Sequence, residues 1–151
     1  MSTVTVPQKK IASVLLALRL GVFLVLAMWT LDKFVNPGHT AAVFAKFYMT
    51  EGLSTGLVYA LGALQAVIIL AFLVGFQKRW STGIVLAMHA VSTLAPMASY
   101  FSPWSNLLFF AAWPMLAAIV TLYVLRDYDT YLSVETSKAT DEKLGDAVLS
   151  S

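Results

Sequence analysis

The sequence predicts an all-α integral membrane protein, a four-helix transmembrane bundle with both termini on the inner side and a short interfacial helix in the first outer loop. Three observations predict it. Hydrophobic residues make up 59% of the 151-residue chain and charged residues 12%, with a mean hydropathy of +0.77, whereas a soluble domain carries about twice that share of charge because its surface must be wetted. The apolar residues gather into four runs of about 20, the length a helix needs to cross the hydrocarbon core. Lysines and arginines fall beside those runs and form no patch able to neutralise a row of phosphates, which argues against nucleic acid as a partner.

The first run, residues 11–31, follows Lys9 and Lys10. It is too long for the core of a signal peptide, contains Arg19 and lacks a small-x-small cleavage pattern, so it is expected to remain as the first membrane helix. Asp32, Lys33, Asn36, Pro37 and Gly38 end it. In the long connection over 32–52, Thr40 is placed to cap a short helix. Phe44, Phe47 and Tyr48 lie on one face of that helix and Lys46 on another, as suits the membrane interface. Runs 53–76 and 80–100 are separated only by Gln77, Lys78 and Arg79, and Ser102, Pro103 and Ser105 turn the chain into the run 106–125. Such short connections make antiparallel neighbours. Glycines 52, 56 and 62 with Ala60, Ala63 and Ala66 give the second helix a small-residue face for close approach. The expected organisation is a cytoplasmic N-terminus over 1–10, a transmembrane domain over 11–126, and a polar, mobile cytoplasmic tail over 127–151.

An even number of crossings puts Lys9, Lys10, Lys78, Arg79 and Arg126 on one side and only Lys33 and Lys46 on the other. The excess of positive charge assigns the first side to the cytoplasm. Trp29, Trp104, Tyr48 and Tyr100 then fall at the outer interface, with Trp80, Tyr123 and Tyr128 at the inner one.

Polar side chains within the spans are the first candidates for function, because lipid penalises them. Counted from the cytoplasmic ends at ~1.5 Å per residue, Arg19 lies about 12 Å deep, Gln65 about 16 Å and His89 about 12 Å, one layer on three helices with Trp113 slightly deeper on the fourth. Arg19 has no Asp or Glu within any span to neutralise it, so it either snorkels to lipid phosphates or holds an anion or carbonyl group. His89 either bonds a backbone carbonyl or Gln65, or meets a quinone headgroup. Asp32, Lys33 and His39 form a polar corner at the outer end of the first helix, either a helix end with its turn or the rim of an outer pocket. The only other histidine, His39, is expected about 20 Å from His89 along the membrane normal, which disfavours a haem held by two histidines of one chain. The absence of cysteine excludes disulfides and thiolate metal sites, and no metal site is expected.

The stretch RLGVFLVLAMWTLDKF resembles the opening of the DoxX family, with Arg19 and Gly21 in the first span and Lys33 near its outer end. The segment LVGFQKR, with Gly75, Lys78 and Arg79, is similar as well, and the resemblance covers about residues 12–126. It implies a multi-pass protein of the bacterial inner membrane in a redox-linked or stress-linked setting, the membrane subunit of a quinone-associated oxidoreductase complex. The alternative is a non-catalytic anchor or assembly partner. Either role calls for the lipid bilayer and for a protein partner or a homo-oligomer. Arg19, Gln65, His89 and Trp113 are the candidate cofactor-binding residues in the first case, and no catalytic residue is assigned. The cysteine pairs that reduce vitamin K-type quinones in related four-helix folds have no counterpart here.

Overall fold

The computed structural model describes residues 7–136, which are helical and turn segments with no strand among them. Five α-helices follow in order: α1 (Gln8–Val35), α2 (Pro37–Tyr48), α3 (Thr55–Leu73), α4 (Lys78–Leu94) and α5 (Ala112–Val124). α1 packs on α3, α3 on α4 and α4 on α5, and α5 returns to α1, while α2 lies against α1 and α3. Among the described residues three stretches are long and apolar enough to cross a membrane: α1, α3 and the continuous run Leu107–Val124.

The buried residues of α1, Leu15, Arg19, Val22, Leu26 and Thr30, recur every three or four positions and form one stripe. Leu15, Val22 and Leu26 meet Ile69 and Phe72 of α3, Val85 of α4, and Ile119 and Leu122 of α5 in the core. Polarity runs opposite to that of a soluble protein. Arg19, Gln65, Lys78, His89 and Thr93 are buried, whereas Leu24 and Val67 are 64% and 68% exposed. Helices apolar on their outer faces suit lipid, where the backbone is satisfied within each helix.

α2 begins earlier than the Thr40 cap predicts. Asn36 caps it by accepting the His39 N–H at 3.4 Å, and Pro37 takes the first turn, where its missing N–H costs nothing. Thr40 is buried inside the first turn instead. The third run is helical only to Leu94, because Pro96 cannot donate to the preceding turn; Met97–Phe101 winds as a 3-10 turn. The fourth run opens in the same way, 3-10 over Leu107–Ala111 and then α5, which carries Pro114 near its start. Tyr100 braces both irregular stretches, its hydroxyl donating to the Thr93 carbonyl at 2.9 Å and the Phe109 carbonyl at 3.3 Å.

Close approach of α1 and α3 depends on Gly62. A Cβ there would meet the Phe34 ring at 2.9 Å and Lys33 Cβ at 3.2 Å, whereas Gly56 has nothing within 4 Å. Gly62→Leu is expected to lower unfolding stability in detergent by about 1–3 kcal/mol through overpacking. Gly56→Ala, its control, should be silent; equal effects would show that the contact is not tight.

The polar tail starts later than the sequence suggests. Residues 127–136, assigned above to a mobile tail, pack back on the turn between α3 and α4: the Val134 N–H donates to the Val74 carbonyl at 2.9 Å, Ser133 Oγ to the Gly75 carbonyl at 3.3 Å, and the Lys78 N–H to Glu135 Oε2 at 2.7 Å. The rest of the expected tail, 137–151, lies outside the described residues, as do residues 1–6.

Candidate functional site

The expected polar layer divides into two places. Trp29 stacks on His89 with ring centroids 5.9 Å apart. Arg19 precedes Trp29 by ten residues, so it lies about 15 Å away along α1. Gln65 goes with His89: Gly62 sits against Lys33 and Phe34, and Gln65, about 4.5 Å further along α3, comes level with Thr30. Arg19 instead lies beside Gly75, in the turn that closes α3.

His89, Gln65 and Trp29 line a cavity of about 1170 Å³ formed by α1, α4 and α5, with α2 and the Leu107–Ala111 turn across one end. Asp32, Lys33 and His39 line the same space. The outer corner and the intramembrane pair therefore belong to one site. This corrects the 20 Å expected between the histidines: His39 bonds Asp32, which is only three residues from Trp29, or about 4.5 Å along α1. α2 folds back over the end of α1, and the short α4 brings His89 near that end. Arg19 and Trp113 do not line the cavity; Trp113 is 43% exposed and tilted against Tyr100.

His89 is 1% exposed and held on two sides. Its Nε2 is 3.0 Å from the Ala112 carbonyl; a carbonyl only accepts, so Nε2 carries the hydrogen. Trp29 fixes the ring plane. Thr93 Oγ1 donates to the His89 carbonyl at 2.7 Å, holding the backbone there. Nδ1 is left buried with no hydrogen-bond partner among the described residues. Such a group is costly in an apolar interior.

At the other end of the cavity His39 Nδ1 lies 2.7 Å from Asp32 Oδ2, and Thr40 Oγ1 donates to the same oxygen at 3.4 Å. These contacts clip the first turn of α2 to the end of α1. Its later turns close the cavity with Phe44 and Phe47, the latter edge-on to Phe109 at 5.6 Å. Lys33 Nζ donates to the Trp29 carbonyl at 3.1 Å.

Arg19 has the counter-charge that its sequence lacked within the spans. Asp129 Oδ2 lies 3.4 Å from Nη1, and Nη2 donates to the carbonyls of Tyr131 and of Leu132, the latter at 3.2 Å. Lys78 Nζ donates to the Asp129 carbonyl at 3.0 Å. Arg19 thus fastens the segment after α5 to the bundle and does not snorkel. Sequence reasoning missed Asp129, Lys78 and Gly75 as its surroundings. One signal was available, since Asp127 and Asp129 are the first carboxylates after the last apolar run, on the side toward which Arg19 leans. Burial pushes the Asp129 carboxyl above the ordinary carboxylate range, while Arg19 and Lys78 pull it back.

No family model matches the sequence, and neither a curated protein nor a solved structure matches it.

Proposed function

We propose that this chain is a DoxX-like protein of the bacterial inner membrane that holds a lipid-soluble quinone as the membrane component of a redox-linked complex. The observation that carries this reading is the cavity, about 1170 Å³ and mainly apolar, with Gln65 and His89 among its few polar lining residues. Pockets for drug-sized ligands hold about 300–1,000 Å³, so a quinone ring with the first part of its tail fits. Val25 of α1 and Val91 of α4 both line the cavity and are exposed, which supports sideways entry from lipid. Arg19, Gly21 and Lys33 supply the family resemblance. In this reading α1, α3, α4 and α5 are four crossings, α4 being the short one, and the end rich in lysine and arginine faces the cytoplasm. A cysteine pair does not reduce the quinone, because the chain has no cysteine.

Purification in mild detergent, followed by extraction of lipophilic molecules, tests the proposal. Wild type is expected to retain quinone near one per chain, and Gln65→Leu to lose about nine-tenths of it, because the Gln65 amide lines the cavity and supplies the N–H a quinone carbonyl can accept, a hydrogen bond worth about tenfold in affinity. A wild type without quinone, or a variant that accumulates normally and keeps it, overturns the reading.

A further inference from the structure

The connection between α4 and α5, residues 95–111, is built unlike a loop that faces water. Residues 80–125 contain no lysine, arginine, aspartate or glutamate. Within the connection the largest apolar side chains stand clear of the protein: Phe101 is 85% exposed, Trp104 87% and Leu108 89%. Water penalises apolar surface displayed in this way, and lipid does not.

The backbone is closed on itself as well. The N–H groups of Ser99, Ser102, Ser105, Asn106 and Phe109 each donate to the carbonyl three residues back, at 2.8–3.2 Å. Asn106 Nδ2 donates to the Ser102 carbonyl at 3.0 Å, and the Tyr100 hydroxyl ties the Thr93 carbonyl to that of Phe109. The other connection at this end of the bundle has the opposite character. It carries an exposed Glu51, and in the stretch 50–54 only Thr50 donates a backbone hydrogen bond among the described residues, which leaves its other amides to water.

Helix length places the closed connection in the bilayer. α4 starts at the charged pair Lys78 and Arg79 and ends at Leu94 after 17 residues, about 25 Å. The hydrocarbon core is about 30 Å thick. A bilayer reckoned from those two charges therefore outlasts the helix and reaches the connection, where irregular backbone is tolerated only with its polar groups paired.

We infer that residues 97–108 form a lipid-embedded connection, seated at the boundary between acyl chains and headgroups in the leaflet opposite the Lys78–Arg79 turn, with Phe101, Trp104 and Leu108 in lipid. This rests on the reading of α4 as a membrane crossing. Leu108 also lines the cavity, so lipid reaches the rim of the cavity at this point.

The chain has no cysteine, so single substitutions carry one nitroxide label each without background. Glu51→Cys, Ile84→Cys, Phe101→Cys, Trp104→Cys and Leu108→Cys, each in the full chain in phosphatidylcholine nanodiscs, are read by electron paramagnetic resonance for collisions with oxygen, which concentrates in lipid, and with a water-soluble nickel chelate. All five side chains are exposed, so the labels leave the packing intact. The oxygen-to-nickel collision ratio is expected to lie above one at 84, 101, 104 and 108 and below one at 51. A ratio below one at 101, 104 and 108, with 84 still above one, refutes the embedded connection and leaves the crossing standing. A ratio below one at 84 as well removes both. Few collisions with either reagent at 101, 104 and 108 would mean that protein, such as a second copy of the chain, covers the segment, and this also overturns the inference. Any two of the three positions decide the matter if one variant fails to accumulate.

Discussion

Asp129→Ala is expected to destabilise the protein by about 3–5 kcal/mol, the loss typical when one member of a buried ion pair is removed and the other stays behind. Arg19 is 1% exposed and Asp129 4%, so water cannot replace the carboxylate without the end of the bundle opening. Arg19→Leu alone should be comparably harmful, because the Tyr131 and Leu132 carbonyls then lose their donor. The informative variant is the double one. Burial pushes the Asp129 carboxyl upward despite Arg19 and Lys78, and replacing both members of a buried ion pair by apolar side chains often costs little where removing one costs much. Arg19→Leu with Asp129→Leu is therefore expected to recover at least half of the loss measured for Asp129→Ala. Chemical unfolding in detergent, arranged as a double-mutant cycle, measures the coupling. Additive single losses would mean that the two residues act independently and that the ion pair is incidental.

The second large effect is expected at Gly75. Its φ is +62°, and a Cβ there would lie 2.5 Å from Arg19 Nη1 and against Ser133 Oγ. Gly52 has φ +73° with nothing within 4 Å, so it separates the two penalties. Gly52→Ala pays only for the left-handed backbone, about 1–2 kcal/mol. Gly75→Ala pays that and must also displace Arg19 or the Ser133 segment, so its loss in thermal stability should be at least twice as large. Equal losses would show that the space around Gly75 gives way freely.

Much of the architecture was legible because hydrophobic runs and their punctuation report local preferences. Residues 11–31 and 53–76 fall on α1 and α3, and the amphipathic stretch over 40–48 falls on α2. The ends of the third and fourth runs were not, since hydropathy does not register that Pro96 and Pro114 convert apolar sequence from α to 3-10 winding. The site was legible as residue types and illegible as a grouping. Depth counted from the edge of an apolar run assumes that helices start level, but α1 runs 28 residues against 19 for α3. That offset moved Arg19 out of the layer it was expected to share with Gln65 and His89. The partners of His89, the Ala112 carbonyl and the face of Trp29, come from helices that only the tertiary fold brings together. No spacing in the chain encodes them.

The clasp around Arg19 also bears on how the chain is made. Tyr131, whose carbonyl accepts from the guanidinium, follows Arg19 by 112 residues. At a synthesis rate of about 5–20 residues per second, roughly 6–22 s separate the two at the ribosome. During that interval the first helix carries a charge that has no permanent partner and has to be held at the lipid headgroups or by the insertion machinery. The last ten described residues thus complete the pairing of a charge that the first helix carries from the start.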